Sequence, residues 1–247
     1  MVTPTGRVPK TNSKPVRNGR IAKSPRGLFD DVTPNNSQRL LLAAITAFAR
    51  HGFHATTTRE IAAIAGLSPA ALYTHYPTKA SLFYEISLVG HRYILTLIRE
   101  ALAQEGDPRD KVARLVRASV TYHAEEVTLT RVVNSEFRGA LDRKNRKVIV
   151  AMRHEVTDLV RGVVDDGVEA GVFSVPDPHA ATVAMLRLMD VSPWYNPAGP
   201  LGPADLADSF CALILSMLGA TPPVSSADGG SRGESTPSVP EARGIAQ

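Results

Sequence analysis

Two short patterns bring together residue types used in catalysis, and neither has the context its chemistry needs. Gly229-Gly230-Ser231-Arg232-Gly233 matches G-x-S-x-G. A serine nucleophile in that pattern stands on a sharp turn between a strand and a helix, which exposes its hydroxyl. Here the stretch follows no strand-like segment and lies in a Ser/Gly/Pro-rich tail. His154-Glu155 followed by Asp158 supplies metal-ligand types, but helical zinc hydrolysis needs histidines at i and i+4. The second histidine is missing. There is no Gly-Lys phosphate loop. The one cysteine, Cys211, excludes a disulfide framework and a cysteine-rich zinc site. These residues point away from an enzyme and call for neither metal nor cofactor.

Residues 57–79 offer different chemistry. Thr57-Thr58-Arg59-Glu60 is a capping-box start, and Gly66 is placed to stop the helix that follows. Ser68-Pro69 then pairs a good N-cap with a residue suited to the first helical position. Pro77 ends this second helix near His75, because the residue before proline avoids helical geometry. Helix, glycine-containing turn and short second helix make the unit whose second helix enters the DNA major groove. Ala62 and Ala65 let two helices cross closely, and Leu67 and Leu72 anchor the second to the first. Ser68, Ala70, Ala71, Tyr73, Thr74 and His75 remain on or near its outer face. Lys79 stands in the first turn of the next helix, where a cation opposes the macrodipole by ~0.3–1 kcal/mol. A DNA phosphate drawn to that helix start would favour it there.

The other elements read as helices. An apolar stripe of Leu41, Ala44, Ile45 and Phe48 predicts a first helix over about 37–51, closed by Gly52. Thr78 opens a long helix to about 103, and further amphipathic spans cover about 109–126, 129–140, 143–170, 178–190 and 204–219. The fold class is therefore all-α, with about nine helices. Residues 1–33 read as a disordered basic arm, 34–94 as the DNA-binding unit, 95–220 as a helical domain and 221–247 as a disordered tail.

Charge follows the same division. The 247 residues hold 28 Lys+Arg and 24 Asp+Glu, a net +4. Residues 1–29 carry seven basic side chains and no acidic one. Residues 36–83 carry Arg39, Arg50, Arg59 and Lys79 against Glu60 alone, while 84–220 are mildly acidic. No apolar run approaches the ~18 residues a membrane helix needs, and no signal-peptide pattern follows the basic N-terminus. A cytoplasmic protein with no membrane partner is the expectation.

The stretches Gly52-Phe53, Thr56-Thr57-Thr58, Glu60-Ile61-Ala62, Ala65-Gly66-Leu67-Ser68, Leu72-Tyr73-Thr74-His75-Tyr76 and Lys79-Ala80-Ser81-Leu82-Phe83 together resemble the N-terminal domain of TetR-type transcriptional regulators. The resemblance implies phosphate contacts from Thr58, Tyr73, His75 and Lys79. It implies base-edge or groove contacts from Ser68, Pro69, Ala70 and Thr74. Two positions depart from the family pattern: Ala70 stands where glycine is common, and Pro69 where a polar residue is common. Each side chain also has a plainer use. Tyr73 and Tyr76 could be core, His75 could answer a helix C-terminus, and Lys79 could be a solvated lysine.

For the rest of the chain the resemblance implies a ligand-binding and dimerisation domain. Trp194-Tyr195, followed by Pro197, Gly199 and Pro200, is similar to the subgroup governing fatty-acid, acyl-CoA or sterol breakdown. Trp194 lines a ligand pocket or pins an interhelix corner. Tyr122, Phe137, Met152, Met185 and Met189 are candidate pocket residues, since methionine fits irregular apolar cavities; each could equally be core. Arg143, Lys144, Arg146 and Lys147 make either a solvated face or an anion site. Leu206, Phe210, Leu213, Ile214 and Met217 form an apolar stripe expected to build a dimeric four-helix bundle. The function implied is a homodimeric repressor reading palindromic double-stranded DNA and released by a small hydrophobic or acyl-CoA-like effector. Half-site centres would lie roughly 34–36 Å apart. The alternative is a non-specific nucleic-acid-binding dimer driven by the basic arm.

Overall fold

A computed structural model describes residues 21, 23–32 and 35–220; the G-x-S-x-G stretch lies outside them. The described residues form nine helices and no strand. They are α1 (Asn35–Ala55), α2 (Thr58–Ala65), α3 (Pro69–His75), α4 (Lys79–Ala103), α5 (Pro108–Glu125), α6 (Val127–Ala140), α7 (Arg143–Glu169), α8 (Pro178–Met189) and α9 (Pro203–Met217). None is long and apolar enough to cross a membrane.

The expected local signals form these elements. In α1, Leu41, Ala44, Ile45 and Phe48 are all buried, and the helix breaks at Gly52, whose φ of 75° suits glycine. Thr57 caps α2 by accepting the Glu60 amide at 3.1 Å, while the Glu60 carboxylate faces His51 Nε2 at 3.2 Å. Gly66 is left-handed (φ 66°, ψ 35°), and the Leu67 amide returns to the Ala62 carbonyl at 2.9 Å. That closure is the Schellman pattern, and it turns the chain sharply into α3. Asp107, Asp142 and Asp177 cap α5, α7 and α8 with their carboxylates.

Two apolar clusters share one scaffold. The first joins α1–α3 to the start of α4, to α6 and to Ile149 of α7; Phe48, Phe53 and Phe83 meet in it with ring centroids 5.4–6.1 Å apart. The second lies among α4, α5, α7, α8 and α9. Helix α4 serves both, with Leu82, Phe83 and Ile86 in the first and Ile94 and Ile98 in the second. A boundary at 94/95 therefore falls inside a continuous helix rather than in a linker.

Residues 23–32 differ from the expectation of a featureless arm. Phe29 is 1% exposed in the first cluster, and Leu28 touches both. The Ser24 hydroxyl donates to Glu126 Oε1 at 2.7 Å, and the Arg26 amide donates to the same oxygen at 3.0 Å. The Arg26 guanidinium pairs with Glu125 at 2.5 Å and sits over Tyr93. Composition hid this, because three apolar residues, Leu28, Phe29 and Val32, in a Pro/Gly/basic stretch set no period. The acidic partners of Ser24 and Arg26 stand about a hundred positions away.

Candidate nucleic-acid interface and ligand cavity

Helix α3 presents a short exposed face. Leu72, its one buried residue, ties it to the core, and Ser68, Pro69, Ala70, Tyr73 and Thr74 are exposed. The Ser68 oxygen accepts the Ala71 amide at 3.1 Å, which leaves its O–H free to donate. The Thr74 hydroxyl donates to the Ala70 carbonyl at 3.1 Å, which leaves its lone pairs free to accept. The two hydroxyls thus offer opposite polarity to a ligand.

The four residues expected at phosphates have different surroundings. Thr58 Oγ1 and Tyr73 Oη lie 2.9 Å apart, so two hydroxyls from α2 and α3 meet at one point. Tyr73 is 52% exposed and is not core, whereas Tyr76 is half-buried against the first cluster. His75 Nδ1 lies 3.2 Å from the Ser37 hydroxyl of α1, which orients the ring at the α3 C-terminus. The Lys79 ammonium donates to three carbonyls, Phe53 at 2.6 Å, His54 at 2.9 Å and Thr56 at 2.8 Å, and sits 4.6 Å from the Phe53 ring centre. Those carbonyls account for a cation in a helix's first turn without any phosphate.

The larger cavity of the second half has a volume of about 370 Å³ and lies among α4, α5, α6, α7 and α8. Ile94, Ile98, Val156, Leu186 and Met189 supply apolar wall; His91, Ser119, His123, Asn134, Arg153 and Asp190 supply polar groups. His91 Nδ1 meets the Ser87 carbonyl at 2.7 Å. A carbonyl only accepts, so the ring proton is on Nδ1 and Nε2 accepts from Arg153 Nε at 3.0 Å. Burial, then the neighbouring Arg153 charge, push the His91 pKa down to about 4. Burial likewise lowers the His123 pKa, and its Nδ1 meets the Ser119 carbonyl at 2.8 Å. Both imidazoles are neutral walls at neutral pH.

Of the six expected pocket residues, Met189 alone lines this cavity. Tyr122 is buried, donates to the Gly90 carbonyl at 3.1 Å and borders a smaller neighbouring cavity of about 50 Å³. Met185 is fully buried core. Phe137 and Met152 pack on the first cluster, and Phe137 receives the Arg153 guanidinium at 4.0 Å. Trp194 is 55% exposed and stacks on Phe210 at 5.6 Å, while Tyr195 is the aromatic that is buried. Arg131 holds that corner by donating to the Ser192 and Tyr195 carbonyls. Arg143, Arg146, Lys147 and His154 border an open cleft on α7, apart from the larger cavity. Sequence reading missed His91, His123, Arg153 and Asp190, which come from four segments with no shared spacing.

Comparison with known proteins agrees with this architecture. Residues 40–86 match the model of bacterial regulatory proteins of the tetR family, and 105–218 match a tetracyclin repressor-like C-terminal domain. The HTH-type transcriptional repressor KstR2 of Rhodococcus jostii (strain RHA1) is 27% identical over 195 residues, covering 76% of this chain and 95% of that one. A crystal structure of a tetR-family regulatory protein from Rhodococcus RHA1 is 37% identical, with a TM-score of 0.72 over 77% of this chain and all of that one. The structure of AibR with isovaleryl coenzyme A and operator DNA shares the fold at 18% identity, with a TM-score of 0.66 over 75% of this chain and all of that one. With its reading head, helical body and both family domains in order, the chain belongs to the TetR family of bacterial transcriptional regulators and is not an enzyme.

Proposed function

We propose that the protein is a homodimeric repressor that reads palindromic operator DNA through α3 and is released by a small, mainly apolar molecule or its acyl-CoA thioester. The observation that carries this reading is the open face of α3, held by Leu72 and flanked by the Thr58–Tyr73 hydroxyl pair. Ser68, Pro69, Ala70 and Thr74 approach base edges; Thr58, Tyr73 and His75 approach phosphates. Lys79 fixes the turn beside them. The dimer is supported by the exposed apolar side chains Trp194, Leu201 and Leu213. Contiguous exposed apolar groups mark association surfaces, and pairing of α8 and α9 in a four-helix bundle would cover Leu213 of α9 and the adjoining connection that carries Trp194 and Leu201. The relative named a repressor, and the same fold holding isovaleryl coenzyme A in AibR, support the repressor and effector parts. The isovaleryl coenzyme A held by AibR also favours an acyl-CoA-linked role. An effector acts only through its different affinity for the two head spacings.

The test is footprinting on DNA upstream of the protein's own gene, with light scattering for the oligomer. Two protected half-sites roughly 34–36 Å apart are expected for a bound dimer on B-DNA. Absence of sequence-selective protection at physiological salt would sink the repressor reading.

The five basic residues in 1–20 favour a second reading, in which the arm drives non-specific binding. Removing residues 1–20 separates the two. Retained operator selectivity supports the repressor, and loss of all binding supports the arm.

A further inference from the structure

The larger cavity contains a cation with no carboxylate in direct contact; Asp190 acts on it only from farther off. Arg153 of α7 reaches its wall and is partly withdrawn from water. Its Nε proton goes to the neutral His91 ring at 3.0 Å, and one Nη2 proton goes to Asn134 Oδ1 at 3.2 Å. One guanidinium face rests on Phe137. Among the described residues no carboxylate comes within 4.0 Å of it. Asp190, the acid of the same cavity, has its oxygens engaged by the Ser192 amide and hydroxyl and by Asn134 Nδ2, at 2.6–3.3 Å. A second cation, Arg187, stands at the rim. With both histidines neutral, the lining carries two positive charges against one negative.

A partly desolvated guanidinium with no carboxylate in contact is costly, and the cost falls when an anion enters. Arg153 keeps both Nη1 protons and one Nη2 proton, a fork suited to two carboxylate oxygens. Ser119 supplies an independent sign that something polar belongs here. Its hydroxyl is buried and lines the cavity, and it has no hydrogen-bond partner. Around these groups the wall is Ile94, Ile98, Val156, Leu186 and Met189. A volume of about 370 Å³ is within the range of small-molecule sites.

We propose that the effector is an amphipathic monocarboxylate, with its carboxylate on the Arg153 fork, its apolar body along the aliphatic wall and the Ser119 hydroxyl open to a polar substituent. This deepens the ligand-released repressor reading and rests on it. A thioester of the same acid presents a neutral carbonyl at the Arg153 fork, so the free acid is the better partner for it.

The test uses the full-length protein and three series of probes: straight-chain acids from octanoate to dodecanoate, the matching primary alcohols, and the matching CoA thioesters. Affinities are read by calorimetry. The acids are expected to bind at least about ten-fold more tightly than the alcohols, the scale of a charge-assisted pair. Arg153→Gln is expected to remove that advantage while leaving alcohol affinity within about two-fold, which also shows the cavity intact. Arg153→Lys is expected to keep part of it. Equal binding of acid and alcohol, or an acid affinity untouched by Arg153→Gln, overturns the proposal. Tight thioester binding that ignores Arg153→Gln, with no binding of the acids, overturns it and leaves the wider effector reading standing. Failure of all three series overturns both.

Discussion

Lys79 shows how one side chain can carry two readings. In sequence it is a cation at the wrong end of a helix, and a phosphate is the natural remedy. In the structure three carbonyls from the end of α1 and the turn into α2 take its three protons, and the Phe53 ring lies beside it. Those carbonyls belong to residues 23–26 positions upstream, so no local pattern announces them. Lys79→Met removes charged hydrogen bonds and strands carbonyls, a cost of about 2–3 kcal/mol. A Tm drop of roughly 4–12 °C follows, by the scaling for a chain of this size. An unchanged Tm with weaker DNA binding would make Lys79 a phosphate ligand only. Tyr73→Phe is the counterpart. It removes the hydroxyl near Thr58 at an exposed position, so stability changes by roughly 0.5 kcal/mol or less. DNA affinity should fall at every salt concentration with the same salt slope, because no charge is removed. A shallower slope in gel-shift titrations would contradict a neutral phosphate contact.

At the scale of elements, what could be read in the sequence depended on how local the cause was. The α2–turn–α3 unit follows from Thr57, Gly66, Ser68, Pro69 and Pro77, each acting within a few residues of itself. The cavity draws its wall from five helices, and its polar members come from α4, α5, α6, α7 and the end of α8. No periodicity links His91 to Arg153 or Asp190. Apolar composition pointed to methionines, and Met185 turned out to fill the core instead. The buried imidazoles give the cavity a pH signature. His91 is depressed from the usual 6.5 to about 4. As pH falls below 6.5 the unfolded chain takes this proton first, so the stability present above 6.5 is lost on the way down to about 4. At pH 5 the loss from His91 alone is about 2 kcal/mol, and His123 is shifted in the same direction. Glu126 works against it: burial raises its pKa, so its contribution is kept at low pH and lost as pH rises. His91→Gln should therefore flatten the fall of Tm between pH 7 and pH 5. A profile identical to that of the unmodified protein would show that His91 is not the neutral wall described above.

Across the whole molecule, the N-terminal head and the helical body are joined more firmly than a linker would join them. Helix α4 runs through both clusters, and α7 contributes Ile149 to one and Val160, Val163 and Val164 to the other. The segment 23–32 adds a third connection, from Phe29 in the head cluster to the buried Glu126 carboxylate at the α5–α6 junction. Tyr93, under Arg26, also meets Tyr122 at 5.7 Å, and Tyr122 borders the small cavity beside the larger one. The N-terminal charge and the packed segment can therefore be separated by where the chain is cut. Removing residues 1–20 takes away Arg7, Lys10, Lys14, Arg17 and Arg20 and leaves every described contact in place. Tm should stay unchanged. If all five cations reach phosphates, the salt slope of DNA binding should become shallower by as much as ~4–5, since each phosphate neutralised contributes ~0.9. Removing residues 1–30 instead takes Ser24, Arg26 and Phe29 as well, and strands Glu126 without its donors. Loss of a buried phenylalanine costs about 3–5 kcal/mol, so the second truncation should melt far below the first. Equal melting of the two by calorimetry would mean that segment 23–32 adds no stability. The strap from the head to the α5–α6 junction would then be absent in solution.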